Sequence, residues 1–166
     1  IPNNFNGVVR QNEEKAIIKW QSFNVGKEAS VHFDQGGNAD WAALNRISDN
    51  DPSQILGKLS ADGTIYLLNR NGILFGSDSQ INVQALIASS LNIKDEDFLN
   101  NRMAFKLDPE QQLTGVVSNH GTIRAGKAGS VFLLGPVVEN SGIIEARGGQ
   151  VALVAGEDVE FASLEA

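Results

Sequence analysis

Apolar positions in this chain come in short runs, each cut off by Gly, Asn or Asp. The clearest example is Gly63-Thr64-Ile65-Tyr66-Leu67-Leu68-Asn69-Arg70-Asn71-Gly72-Ile73-Leu74-Phe75-Gly76. Thr64 to Leu68 is a β-branched and aromatic run and predicts a buried strand. Asn69-Arg70-Asn71-Gly72 ends it, because Asn and Gly accept left-handed backbone at little steric cost. Ile73-Leu74-Phe75 then opens a second strand, closed by Gly76-Ser77-Asp78. An Asn-Gly pair between apolar runs is also a strong hairpin signal. On this stretch alone, a hairpin and a turn between two sheets both fit.

The same grammar runs along the whole chain. Ala16 to Val25 has strand composition, and Ser30-Val31-His32-Phe33-Asp34 alternates polar and apolar as a half-buried strand does. Trp41 to Ile47 resumes apolar character, Ser48-Asp49-Asn50-Asp51-Pro52 is a loop rich in breakers, and Ser53 to Leu59 leads into the opening stretch. After Gly76 come Gln80-Ile81-Asn82-Val83 and a run from Ala85 to Ile93, read as strand. Residues 94–114 read as an insertion: a polar turn beginning at Lys94-Asp95-Glu96-Asp97, a strand over Met103 to Leu107, then Asp108-Pro109. Val159-Glu160-Phe161-Ala162 is again strand-like, with no capping segment after it.

An internal repeat in the last third decides the architecture. Val117-Ser118-Asn119-His120-Gly121-Thr122-Ile123 lines up with Val138-Glu139-Asn140-Ser141-Gly142-Ile143-Ile144, 21 residues on. Gly129-Ser130-Val131-Phe132-Leu133-Leu134 matches Gly149-Gln150-Val151-Ala152-Leu153-Val154, 20 residues on. A period of this size marks a solenoid, in which a unit buries its apolar face only by stacking on its neighbours. Short strands, Gly/Asn turns and no expected helix favour a right-handed parallel β-helix, an all-β fold, over leucine-rich repeats. Residues one repeat apart should stack about 4.8 Å apart: Ile123 on Ile144, Val131 on Val151, Leu133 on Leu153. Asn119 and Asn140 should form a short amide ladder at a turn. The expected organisation is a single domain over 1–166. Residues 1–47 form a cap and irregular first coils, 48–93 coils with the Asn69–Gly72 turn, 94–114 an extra-helical β insertion, and 115–166 regular coils. The strand-like end predicts a chain that continues as part of a much longer protein.

Composition narrows the function. The 166 residues carry 20 acidic against 13 basic side chains, a net charge of -7, with no two basic residues adjacent. Nucleic acid is therefore not an expected partner, nor is an anionic membrane surface, and no run approaches the roughly 20 apolar residues of a membrane span. An apolar fraction of 42% with 17 glycines and 4 prolines suits many tight turns between short strands. Cysteine is absent, which removes disulfides, thiolate metal sites and cysteine nucleophiles together.

Candidate chemistry is sparse. His32 and His120 lie far apart and neither stands in a catalytic motif. Gly121 to Lys127 has the spacing of a phosphate-binding loop, but Ala128 follows where that loop needs Ser or Thr, and the segment leads to a strand. Asp49/Asp51 and Asp95-Glu96-Asp97 could bind calcium or serve a β-helical polysaccharide lyase; they lie in separate loops without recurring spacing and read as solvated. Trp20 and Trp41 read as core or cap residues rather than sugar platforms. No cofactor and no metal are expected.

These residues carry a resemblance. Ile18-Lys19-Trp20-Gln21-Ser22-Phe23-Asn24-Val25-Gly26, Val31-His32-Phe33, Leu44-Asn45-Arg46-Ile47, Ser53 to Leu59, Asn69 to Gly76, Ala88 to Ile93, Asn119 to Ile123 and Gly149 to Gly156 follow one another in order. Together they resemble the N-terminal secretion domain of two-partner secretion exoproteins, the group of filamentous haemagglutinin, high-molecular-weight adhesins and related haemolysins and toxins. The family's Asn-Pro-Asn-Gly motif stands here as Asn69-Arg70-Asn71-Gly72. Its second Asn-Pro-Asn motif is missing near Trp41 to Asn45, which places the chain nearer the high-molecular-weight adhesin branch. The resemblance implies a non-enzymatic, monomeric domain that passes through the periplasm, where the periplasmic domains of an outer-membrane transporter barrel recognise it. It then crosses unfolded to the cell surface and nucleates β-helix folding there, while a host-cell receptor or glycan is met by the rest of the protein. Asn69, Asn71, Gly72 and Ile73 are the residues it singles out for recognition or nucleation. Two other readings stand beside it: a β-helical carbohydrate-active enzyme fragment, and an adhesive module that itself binds host glycan or protein.

Overall fold

The computed structural model describes residues 6–109 and 115–162. Three parallel sheets are stacked by a chain that visits them in turn. The first contains, side by side, β1 (Asn6–Arg10), β3 (Ser30–Asp34), β6 (Lys58–Ala61), β9 (Gln80–Val83), β14 (Thr122–Ala125) and β17 (Ile143–Glu145). The second contains β2 (Lys15–Trp20), β4 (Ala42–Ile47), β7 (Thr64–Asn69), β10 (Ala85–Ser89), β15 (Val131–Gly135) and β18 (Val151–Ala155). The third contains β5 (Ser53–Ile55), β8 (Gly72–Phe75), β13 (Val116–Asn119) and β16 (Val137–Asn140). The four inner circuits each lay one strand on each sheet and drop to the next level. Among the described residues, the first circuit meets the third sheet only by the Val25–Ile55 bridge and the last adds no strand to it; the whole is a parallel β-helix. The register partners are those the repeat requires: Ile123 with Ile144, Val131 with Val151, Leu133 with Leu153.

The stretch from Gly63 to Gly76 is thereby settled. β7 pairs with β4 and β10, and β8 with β5 and β13, all in parallel. The Asn-Gly turn connects two sheets, and the hairpin alternative is excluded.

The unbroken apolar run of β7 has a cause. Ile65 and Leu67 point into the solenoid with Ala43, Leu86, Ala88, Val131 and Leu133. Tyr66 and Leu68 point outward, into a second core with Leu44, Ile87, Phe132 and Leu134. A parallel strand covered on both faces needs apolar side chains at every position, not at alternate ones. β15 (Val131–Gly135), buried throughout, is read the same way.

The outer cover comes from the insertion. After β10 the chain leaves the helix as β11 (Asn92–Ile93), α1 (Asp95–Leu99) and β12 (Met103–Lys106) before returning at β13. Three sequence expectations change here. The polar turn after Lys94 is one helical turn, because Asp95, Glu96 and Asp97 occupy its first turn, where carboxylates favour the positive end of the dipole, and Phe98 drops into the second core. The run from Ala85 to Ile93 is two strands, broken where the Ser90 hydroxyl bonds the Gly115 carbonyl at 2.8 Å. The strand-like segment near Val159 forms β19 (Asp158–Phe161), which adds no rung to the third sheet. It pairs antiparallel with β12, giving a small sheet ordered β11-β12-β19. Phe161 stacks on Phe132 with ring centroids 4.5 Å apart. Arg46 of β4 ties the excursion down, donating to Asp95 at 2.7 Å, Asn92 at 2.7 Å and the Ile93 carbonyl.

Because Phe105 of β12 is fully buried in this second core, Phe105→Ala should cost about 3–5 kcal/mol in urea or guanidinium melts. A loss below about 1 kcal/mol would mean that the excursion adds little to the stability of the solenoid.

Candidate functional site

The corner between β7 and β8 is assembled by side chains that bond across coils. Asn69 is fully buried. Its Nδ2 donates to the Ser53 hydroxyl at 3.0 Å and the Asp51 carbonyl at 3.1 Å, while its Oδ1 accepts the Asn71 backbone N–H at 2.9 Å. Asn71 Nδ2 reaches the Asp49 carbonyl at 2.6 Å. The loop Ser48 to Pro52 of the preceding coil is thus held by two carboxamides from the coil that follows. Only a side chain that both donates and accepts at that short reach serves Asn69's place, and aspartate lacks the donor. Gly72 sits at φ +113°, and a Cβ there would lie 2.5 Å from the Val116 carbonyl oxygen. Ile73, next in line, is fully buried between Ser53 and Val117. Asn69, Asn71, Gly72 and Ile73 therefore form one constellation. Arg70 at the tip is exposed.

Asn119 and Asn140 lie at a different corner, between the third and first sheets. Asn119 Nδ2 donates to Asn140 Oδ1 at 3.0 Å, and Asn119 Oδ1 accepts the Gly121 N–H at 3.0 Å. Directly beside them the His120 ring meets the Ser141 hydroxyl, so the two residues that replace each other in the repeat are bonded to each other. His32 bonds Ser60 at 2.8 Å, one coil on. The segment Gly121 to Lys127 runs from β14 through a turn into β15, a strand on both sides.

Two buried polar clusters escaped the sequence reading. At the corner between the first and second sheets, Gln35 Nε2 donates to Gln11 Oε1 at 3.0 Å, and Gln35 Oε1 accepts the Gly63 N–H at 2.6 Å. Gln11 Nε2 continues the ladder to the Ala42 carbonyl at 2.9 Å. Asp62 closes it from outside; backbone N–H groups of Gln35 and Gly37 hold its carboxyl below the usual range. In the second sheet, fully buried Asn45 accepts from the Trp20 indole at 2.8 Å and donates to the Tyr66 carbonyl at 3.0 Å. The signal was weak: Gln11 and Gln35 just past strand ends and Asn45 inside a strand, with no constant spacing. Among the described residues no three His, Asp or Glu side chains gather where one metal ion could be held.

A stacked-coil domain whose corners are locked by buried asparagines matches one family model over residues 3–166, described as the TPS secretion domain. The chain belongs to that family. The solved secretion domain of HMW1 from Haemophilus influenzae is similar to this domain, with a TM-score of 0.83 and 35% sequence identity over 90% of this chain and 42% of that one. A heme/hemopexin-binding protein of Haemophilus influenzae strain Rd is 35% identical over 148 residues, 87% of this chain. A second heme/hemopexin-binding protein of Haemophilus influenzae is 38% identical over 86 residues. The domain spans 16% and 9% of the length of these two relatives. It is thus a domain of exoproteins exported by two-partner secretion, and the family and its adhesin-like relatives point to a non-enzymatic role.

Asn69→Ala strands the Asn71 N–H, the Asp51 carbonyl and the Ser53 hydroxyl, and Asn69→Asp loses the donor to the last two, so each should cost about 1–3 kcal/mol in denaturant melts. Asn71→Ala, at a half-buried site with one bond lost, should cost less. Equal costs for the two asparagines would show that burial at the corner does not govern its stability.

Proposed function

We propose that the domain targets its exoprotein to an outer-membrane transporter and nucleates the β-helix, with the Asn69–Gly72 corner as the element on which both depend. The observation that carries this reading is the crossing of bonds between neighbouring coils at that corner. Asn69 and Asn71 engage carbonyls at Asp51 and Asp49 and a hydroxyl at Ser53, all within about one coil of chain. A nucleus is favoured where contacts close short loops, since loop-closure entropy is lost before the contacts are made. Once Ile73 has left the transporter, the second and third coils can lock with no help from the rest of the chain. Later coils then stack on a finished template.

Recognition is proposed for the same stretch before it folds. The transporter's periplasmic domains meet a chain in which Asn69, Asn71 and Gly72 are still accessible; in the folded domain Asn69 and Gly72 are buried. One stretch then serves the transporter while extended and the solenoid once folded. The names of the relatives attach haem and haemopexin binding to proteins of which this chain is a small part, and that binding is not assigned to these residues.

The test is secretion of residues 1–166 behind an export signal, with and without the cognate transporter, for the wild type, Asn69→Ala and Asn71→Ala. Wild type should reach the medium only with the transporter, and Asn69→Ala should remain periplasmic. Retention of wild type beside an intact transporter would overturn the targeting role. Normal export of Asn69→Ala would remove the corner from it.

A further inference from the structure

A concavity of about 950 Å³ lies between the outer face of the second sheet and the excursion. Tyr66, Ile87, Met103 and the stacked pair Phe132 and Phe161 line it. Around them stand the carboxamides of Gln84, Asn100, Asn101 and Gln150. The volume is in the range of small-molecule sites, which pair an apolar surface with a few convergent polar groups.

Three observations mark this space as more than a packing gap. First, Tyr66 is nine-tenths buried, yet among the described residues its hydroxyl makes no hydrogen bond. Among the described residues no unpartnered side-chain N or O is fully enclosed, so that hydroxyl still reaches open space, and Tyr66 lines the cavity. Burial pushes its pKa up to about 12, so it remains a neutral donor at physiological pH. Second, among the described residues the non-glycine residues at positive φ are Asn101 at 60° and Ala128 at 59°, and both line this one cavity. The residue one repeat beyond Ala128 is Gly148, at φ +70°. At Ala128 that region carries strain of about 1–2 kcal/mol, and such strain gathers at ligand sites; Asn101, just past the C-cap Asn100 of α1, adopts it as an ordinary helix end. Third, the charged residues among the described lining are Arg102 and Glu160, and they pair with each other at 3.2 Å. The lining therefore offers no net charge.

We infer that this cavity binds a short neutral oligosaccharide, taken up by hydrogen bonds from hydroxyl and carboxamide groups around an apolar floor. A polyhydroxylated ring supplies what the site lacks. Its hydroxyls match carboxamides that donate and accept at once, and a hydroxyl can accept from Tyr66. Its C–H face lies against Ile87 and the aromatic rings. A charged ligand finds no free counter-charge, and a purely apolar one would leave the Tyr66 hydroxyl and the carboxamides without partners. The inference concerns a surface built by the folded domain and does not rest on the transporter reading.

The test titrates residues 1–166 with lactose, maltotriose and chitotriose while following backbone amide resonances, with the anionic 3′-sialyllactose as a control. At least one neutral sugar should shift Asn101, Arg102 and Phe161 in a saturable way, and should bind more tightly than the control. Tyr66→Phe, which keeps the ring in the second core, should weaken that binding about tenfold, the loss of one hydrogen bond to a buried donor, with an unchanged melting temperature. Asn101→Gly, which removes a carboxamide without touching the core, should retain the fold and weaken binding. Absence of saturable shifts with all three neutral sugars, shifts centred elsewhere, or full affinity in Tyr66→Phe would overturn the assignment.

Discussion

Every feature of this domain answers to one length, the roughly 4.8 Å between hydrogen-bonded strands. With successive coils that close, whatever occupies a position in one coil lies against its counterpart in the next. At corners the backbones come closer than a side chain allows. A Cβ on Gly129 would sit 1.7 Å from the Gln84 carbonyl oxygen, and one on Gly149 would sit 1.8 Å from that of Gly129. Glycine columns therefore line the turns for a steric reason. Polar residues that do enter the corners must satisfy their neighbours as well as themselves. Carboxamides do this because they both donate and accept, which is why Gln11 and Gln35, Asn69 and Asn71, and Asn119 and Asn140 stand at three different bends.

The same length explains how much could be read in advance. From Val117 onward the coils are close copies, so the repeat gave the strand register residue by residue. In the first half the corners vary: a long acidic loop before Ser53, a tight Asn-Arg-Asn-Gly turn after Leu68, and an excursion after Ser89. The fold there is the same, but the spacing that would reveal it is broken by those loops. The apolar run of β7 was legible as a buried strand, whereas what buries its outer face was not, because that cover lies far along the chain in Phe98 and Phe105.

The errors share a cause. α1 is a single turn, too short to show helical periodicity, and it exists because Phe98 has a core to enter. β19 has the composition of any coil strand, and nothing local tells Val159 and Phe161 that their partners are Phe105 and Met103 rather than the third sheet. That Asn69 to Gly72 makes a turn was legible because turn chemistry is local, whereas its bonds to Asp49, Asp51 and Ser53 were not. The Gln11–Gln35 ladder was not, because its meaning arises only when two separate corners are stacked.

The pairing of β19 with β12 gives the molecule a way to register its own completeness. A chain that stops or is cut before Asp158 can still wind most of the solenoid, since those coils depend only on their neighbours. It would, however, leave β12 with a bare edge and Phe132 without the ring that stacks on it. An open strand edge beside exposed aromatic surface invites aggregation, and proteases can attack a segment left unpaired. Domains with and without β19 therefore differ on the outside of the molecule, at the β12 edge and the Phe132 ring.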